Sequence, residues 1–359
     1  MTGSRRPLTG PAAQRLAFGC LAACSVVSGL APARPAAALP GPGLGAGPVE
    51  TSAVELLDRA REAAETQSFD GMVAVVWRDG RDQHSEQVPV SSAGGVLRFG
   101  DEVVGAGARR MVHGTDGWFS LWGHDVTTLG PPPTAKYRLA VEPGPEVAAR
   151  PTDVVDVQLV GADRIRERLY VDRQSGLVLR RELLDSRGDP YRSVAFTAIT
   201  SGTVGAEAAT AGAPGVIRSQ EPVPARHLKA PFKLRSRIGT GYRLVGAYKA
   251  GGVVQQFFSD GLHGLSVFEQ RGHLGAAETT LAGQSGTGRE VEISGHTMRA
   301  YSASVGDAVV WDSDGMVYTA VTDAPWSDLA GAVRDLPHAD PPGRLRRVAQ
   351  TVVSLFRWR

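Results

Sequence analysis

From Ser68 to about Thr200 the chain runs in short segments of alternating apolar and polar residues, each closed by a turn signal. Met72 to Trp77 is followed by Asp79-Gly80, Arg109 to His113 by Thr115-Asp116-Gly117, and Arg168 to Val171 by Asp172 to Gly176. Tyr191 to Ile199 supplies a last strand. A period of two sends successive side chains to opposite faces of a sheet, and Asp-Gly turns reverse the chain within a few residues. With no helical pattern between the segments, this predicts an antiparallel meander rather than a parallel, helix-connected sheet. A buried sheet face needs cover, and the one clear helix of the first half precedes the strands. Leu57, Ala60 and Ala64 share its inner face, and Ser52 and Glu55 have capping-box spacing at its start.

The hairpin RLYVDRQSGLVLRRELLDSRG, Arg168 to Gly188, sharpens the expectation. Leu169, Val171, Leu177, Leu179 and Leu183 serve one covered face, while Tyr170, Val178 and Leu184 give the other face apolar character among Arg168, Arg180 and Glu182. It reads as the frame of a binding surface. Which face meets the helix is left open.

Between Ser201 and about Arg237 the composition shifts to Ala, Gly, Pro and Ser, then to Arg226, Lys229, Lys233, Arg235 and Arg237. This reads as an interdomain linker with solvated charges. Beyond it Tyr242 to Tyr248, Val254 to Phe258, Leu262 to Glu269, Met298 to Tyr301, Val309 to Trp311 and Met316 to Val321 look like strands, with turns at Asp260-Gly261 and Asp314-Gly315. Asp323 is placed to cap a helix with Pro325 in its first turn and Leu329, Val333 and Leu336 on its buried face. The expected organisation is a signal peptide over 1–38, a large domain over 51–200, a linker over 201–237, a small α+β domain over 238–336 and a basic tail over 337–359.

The N-terminal segment carries Arg5, Arg6 and Arg15 ahead of an apolar run from Leu16 to Ala31, short for a bilayer span and ending in small residues. That is the pattern of a secretory signal, so the folded part is expected outside the cytoplasm, in the periplasm or cell-envelope space. Two processing routes fit it. One is cleavage after Ala36-Ala37-Ala38; the other uses Leu21-Ala22-Ala23-Cys24, which resembles a bacterial lipobox and makes Cys24 the lipidated residue. Cys20 and Cys24 are the only cysteines, so the mature part holds no disulfide or thiolate site and relies on core burial. In the tail Leu345, Val348, Val352 and Phe356 share a helical face, with five arginines between Arg344 and Arg359. Such a helix suits a membrane surface, a partner or its own domain.

A formal net charge of +2 on 359 residues gives no charge excess that nucleic acid would demand. No two of the eight histidines stand at i,i+4 with a glutamate between, and no Gly-x-Ser-x-Gly elbow, dinucleotide fingerprint or calcium loop appears. LAGQSGTG, Leu281 to Gly288, lacks the lysine of a phosphate-cradling loop. We therefore expect no catalytic residue, metal or cofactor. The candidate ligand-binding residues are aromatic. In GWFSLWG, Gly117 to Gly123, Trp118 and Trp122 share one face and Phe119 and Leu121 the other, and Trp77 can join the same surface. A strand apolar on both faces needs core on both sides, or core on one and a ligand cavity on the other.

The hairpin Arg168 to Gly188 resembles that of the RseB/MucB family of extracytoplasmic sigma-factor regulators and, more loosely, that of LolA/LolB-type lipoprotein carriers. GYRLVGAYKAGGVVQQFFSDGLHGLSVFEQ, Gly241 to Gln270, and VVWDSDGMVYTAVTDAPWSDLAGAV, Val309 to Val333, resemble the RseB/MucB C-terminal domain, which simple carriers lack. Phe258 to Leu262 followed by Leu265 to Phe268 is the most specific piece. The resemblance implies an α+β protein, with a large curved antiparallel sheet forming an open, lipoprotein-carrier-like half-barrel under helical cover and a small α+β C-terminal domain. It also implies a non-enzymatic negative regulator that binds the extracytoplasmic part of a membrane-spanning anti-sigma factor. Such a regulator modulates sigma-factor-dependent envelope stress signalling until a lipid or lipoprotein releases it. The alternative is a lipid or lipoprotein carrier of the cell envelope.

Overall fold

The computed structural model describes residues 48–93, 96–99, 102–104, 131–202, 221–222, 228, 230–250, 252–274, 288–303 and 306–338. Trp118, Trp122, Cys24, the signal segment and the tail beyond His338 lie outside the described residues. Helix α1 (Pro48–Thr66) leads into nine strands: β1 (Phe69–Asp79), β2 (Asp82–Ala93), β3 (Val96–Phe99), β4 (Glu102–Val104), β5 (Tyr137–Pro143), β6 (Thr152–Leu159), β7 (Ile165–Asp172), β8 (Val178–Leu184) and β9 (Pro190–Ser201). Nine more follow: β10 (Glu221–Pro222), β11 (Arg237–Ile238), β12 (Tyr242–Ala250), β13 (Val253–Ser259), β14 (Gly264–Arg271), β15 (Arg289–Ile293), β16 (His296–Ala303), β17 (Gly306–Ser313) and β18 (Met316–Thr322). Helix α2 (Trp326–Arg334) comes last. Among the described residues no helix is long and apolar enough to cross a membrane.

Each group of nine strands makes one open antiparallel sheet. The first has the order β4-β3-β2-β1-β9-β8-β7-β6-β5, and the second runs β10-β12-β13-β14-β18-β17-β16-β15, with β11 on β12. The antiparallel, unclosed architecture is the one expected from the hairpin pattern. It is not a simple meander: β1 pairs β9, and β14 pairs β18. Two sequential arms are thus joined side by side in each sheet. Local turns specify the arms, whereas the long-range pairing of β1 with β9 is set by the shared apolar face they must bury. Both sheets belong to one compact unit, Pro35–Arg359. β10 and β11 fall within 201–238 and pair with β12.

The first core lies between α1 and one face of the first sheet. Leu56, Leu57, Ala60, Ala63 and Ala64 of α1 join Val73, Val75, Leu139, Val155, Val157, Leu169, Leu179 and Phe196 in one buried cluster. The helix begins at Pro48, which places Ser52 and Glu55 inside it and exposed; they do not form its N-cap. A proline in the first turn lacks an N–H that would otherwise go unpaired there, so it suits a start earlier than the capping-box pattern indicates. The second core gathers Phe258, Leu265, Val267, Val309, Trp311 and Ala320 beneath α2, whose Leu329, Ala332 and Val333 are buried. Its N-cap is Pro325, with no side-chain capping bond. The expected cap, Asp323, is engaged elsewhere, as described below.

Leu169, on β7, is fully buried in the cluster that packs against α1. Leu169→Ala removes three buried carbon atoms and leaves a cavity, so it is expected to lower unfolding stability by about 2–5 kcal/mol in urea titration.

Candidate functional site

The register of the first sheet explains why polar residues sit on its covered face. Leu169 lies opposite Arg181, which lies opposite Val194, in the row that also holds Val155. In the next row Val157, Glu167, Leu183, Arg192, Trp77 and His84 are successive cross-strand partners. The face that buries leucines and valines under α1 therefore also carries Glu167, Arg181 and Arg192. All three are buried. Charges on a buried face need opposite charges, because desolvating an isolated ion costs several kcal/mol or more.

Those partners come from the second sheet and its connections. Arg181 Nε donates to Glu167 Oε1 at 2.6 Å, and its terminal nitrogen pairs with Asp323. Arg192 reaches Asp307 Oδ1 at 2.9 Å, and Ser302 Oγ donates to the same oxygen. Lys136, just before β5, places Nζ 2.6 Å from Asp260 Oδ2 and 2.7 Å from Asp328 Oδ2. Arg166 lies 3.2 Å from Asp328 Oδ1. Tyr137 OH donates to Asp260 Oδ2 at 2.6 Å and lies 3.1 Å from His263 Nδ1. His263 Nε2 stands 2.9 Å from Glu167 Oε2, and its Nδ1 lies 3.6 Å from Asp260 Oδ1. The 2.9 Å contact is off the ring N–H direction, so it acts as an ion pair more than as an aligned hydrogen bond. His263, Glu167, Asp260 and Asp323 are all sealed from solvent.

The turn Asp260 to His263, between β13 and β14, is the centre of this joint. Asp260 Oδ1 accepts the backbone N–H groups of Leu262 and His263, fixing the turn, while Oδ2 faces Lys136 and Tyr137. Leu262 enters the first core. Gly261 has φ of +94°, and a Cβ there would stand 2.2 Å from the Pro131 carbonyl oxygen. The backbone of Pro131 to Pro133 thus rests against a residue with no side chain. Lys136 Nζ also lies over the rings of Tyr137 and Tyr242, at 5.1 and 4.7 Å from their centroids.

Burial alone would neutralise these groups, and their neighbours reverse that. Burial pushes the Glu167 carboxyl up, but Arg181 and then His263 override it and hold it at about 2. Asp260 is likewise pushed up by burial and held well below the carboxylate range by His263 and Lys136. Burial pushes His263 down, whereas Glu167 and Asp260 raise it to about 9. The imidazole is therefore cationic at neutral pH. Burial raises the Tyr137 and Tyr242 phenols, as does Asp260, so both are neutral, and Tyr137 donates to Asp260.

The opposite face of the first sheet carries the rest of the hairpin's charge. Arg168 Nε lies 3.1 Å from Asp156 Oδ1, Tyr170 OH donates to Glu182 Oε2 at 2.7 Å, and Arg180 pairs with Glu182. Of the aromatic ligand candidates, the described one is Trp77. It is half-buried against the first core and stacks on His84 at 5.3 Å, in the same cross-strand row as Glu167 and Arg192. Among the described residues no group of three or more His, Cys, Asp or Glu is disposed to hold a metal ion. The arrangement offers no activated nucleophile; its chemistry is that of a charge-matched joint. Sequence reading missed Lys136, Glu167, Arg181, Asp260, His263, Asp323 and Asp328. A signal for two of them was present, since Glu167 and Arg181 interrupt the face of Leu169, Leu179 and Leu183.

Residues 105–222 match the family model described as the MucB/RseB N-terminal domain, a range that contains the hairpin Arg168 to Gly188. The resemblance to the RseB/MucB family is borne out there. No curated protein matches the chain. Among solved structures, the Pseudomonas aeruginosa MucA/MucB complex is similar at 19% identity and a TM-score of 0.46, covering 81% of this chain and 100% of that one. MucB in complex with MucA(peri) is similar at 18% identity and a TM-score of 0.44, covering 80% of this chain and 100% of that one. A LolA-superfamily protein from Nitrosomonas europaea gives 9% identity and a TM-score of 0.19, over 76% of this chain and 91% of that one.

Two outcomes follow from the joint. Arg181→Met leaves Glu167 and Asp323 buried without their shared cation, and is expected to cost about 3–5 kcal/mol of unfolding free energy. On the acid side, Glu167 and Asp260 have lower pKa values folded than unfolded, so their stabilisation is complete above the ordinary carboxylate range. It is lost as pH falls from about 4 towards 2. Urea unfolding at pH 6 and pH 3 is expected to show a smaller acid loss for Glu167→Gln than for the parent chain.

Proposed function

We propose that this chain is an extracytoplasmic negative regulator that binds the extracytoplasmic part of a membrane-spanning anti-sigma factor and modulates envelope stress signalling. The observation that carries the reading is the match of residues 105–222 to the MucB/RseB N-terminal domain. The fold supports it: two large open sheets joined in part by buried ions offer extended surfaces, with no catalytic constellation among the described residues. In this reading the N-terminal segment directs export; on the lipobox route Cys24 anchors the protein at the membrane, and on the route cleaved after Ala38 the arginine-rich tail from Arg344 to Arg359 is the candidate membrane contact. The chain acts by binding and needs no cofactor.

The finer proposal is that a lipid or lipoprotein ligand shifts the balance between partner-bound and free forms by differential affinity. Trp77, with Trp118 and Trp122, is assigned to that ligand. Trp77 stands at the rim of the first core, where an acyl chain would extend an existing apolar cluster.

Titration calorimetry of the exported chain against the extracytoplasmic segment of the anti-sigma factor from the same organism tests the partner. Saturable binding in the micromolar range or tighter is expected; no heat at any concentration contradicts the reading. Fluorescent fatty-acid displacement tests the ligand, with Trp77→Ala expected to weaken it about ten-fold, and no displacement by the parent chain counting against a lipid signal.

A further inference from the structure

The joint contains an odd balance of charge that one residue settles. Around His263, β5 and its approach contribute Lys136 and Tyr137, β7 contributes Arg166 and Glu167, and β8 contributes Arg181. The second sheet's side contributes Asp260 on the same turn, Asp323 after β18, Asp328 on α2, and Tyr242 on β12. Tyr191 on β9 also faces the group and is held neutral by burial. Among the described residues the fixed charges are three cations, Lys136, Arg166 and Arg181, and four carboxylates, Glu167, Asp260, Asp323 and Asp328. The cluster is neutral only when His263 carries a proton. Arg192 and Asp307 form a separate, balanced pair.

We propose that protonated His263 is the latch of the joint: it is the fourth cation that lets the second sheet close on the first, and its loss of a proton at alkaline pH loosens the two sheets. The geometry supports this directly, since the ring sits between a carboxylate of the first sheet at 2.9 Å and one of its own turn at 3.6 Å, with no solvent contact. With the ring neutral, one uncompensated negative charge is sealed between the sheets. The sign follows from the site: a histidine whose folded pKa is raised to about 9 contributes fully below its ordinary value of 6.5 and loses its contribution as pH rises through 9. Glu167 and Asp260, the two carboxylates that face the ring, are held on the acid side of this window, so the device responds to alkali. Nothing in this inference depends on the identity of the partner.

Small-angle scattering of the intact chain from pH 7 to 10, with far-UV circular dichroism as the check on strand content, tests the latch. The radius of gyration is expected to rise between pH 8 and 10 while the strand signal holds. His263→Gln is expected to show the expanded value already at pH 7. The double variant His263→Gln with Glu167→Gln leaves three cations facing three carboxylates, one to one, and is expected to restore the compact value and abolish the pH response. A compact parent chain throughout the range and a compact His263→Gln variant would overturn the proposal. So would a double variant no more compact than the single one, because volume and not charge would then be what the ring supplies. If His263→Gln does not fold, imidazole NMR of the parent chain decides: titration above pH 8 supports the latch, and titration at or below 6.5 overturns it.

Discussion

The contact on which the rest depends is the buried imidazolium of His263 between Glu167 and Asp260. Two open sheets, each with its own core, have no need to meet. Besides Leu262, which enters the first core, what joins them is a set of buried ions. Arg192 on the covered face of the first sheet is matched by Asp307, and Arg181, already paired with Glu167, is matched a second time by Asp323. Asp260 in turn requires Lys136. Replacing such ions by apolar residues is often neutral for stability, whereas removing one partner is costly, so the arrangement specifies which surfaces meet more than how tightly they hold.

Much of the fold was legible in the sequence because local physics decides it. Alternation placed β1, β7, β9 and most strands of the second sheet, and the turns at Asp79-Gly80, Asp260-Gly261 and Asp314-Gly315 fall where the chain reverses. β2, with the sequence DQHSEQVPVSSA, and β15, REVEI, were not legible: their charged residues are exposed, and pairing to a neighbour makes them strands. The pairing of β1 with β9 joins residues more than a hundred positions apart, which no local pattern encodes.

The joint was legible only in outline. In the hairpin Arg168 to Gly188 the alternation holds for Leu169 and Leu179 on the face shared with α1 and for Arg180 and Glu182 on the other, whereas Tyr170 and Val178, read onto that other face, join the same buried cluster as α1. Arg181 belongs to the apolar face, and its role became clear only with Asp323 opposite it, 142 positions along the chain. Asp323 shows the same limit from the other side. Spacing made it a helix cap, but a buried arginine competes for its carboxylate more strongly than an N–H at a helix start. The stretch Phe258 to Leu262, the most specific part of the family resemblance, proves to be the turn that carries Asp260 into the joint. That links the resemblance to a physical task.

Binding surfaces act together only when held in a defined relation, and here the relation rests on charge matched across the sheets. The most direct measurement of that claim is a double-mutant cycle on Lys136 and Asp260, using Lys136→Met, Asp260→Asn and the pair in urea unfolding at pH 7. The account predicts a coupling of about 1.5 kcal/mol or more, with the pair less damaging than the sum of its parts. Additivity within about 0.5 kcal/mol would contradict it.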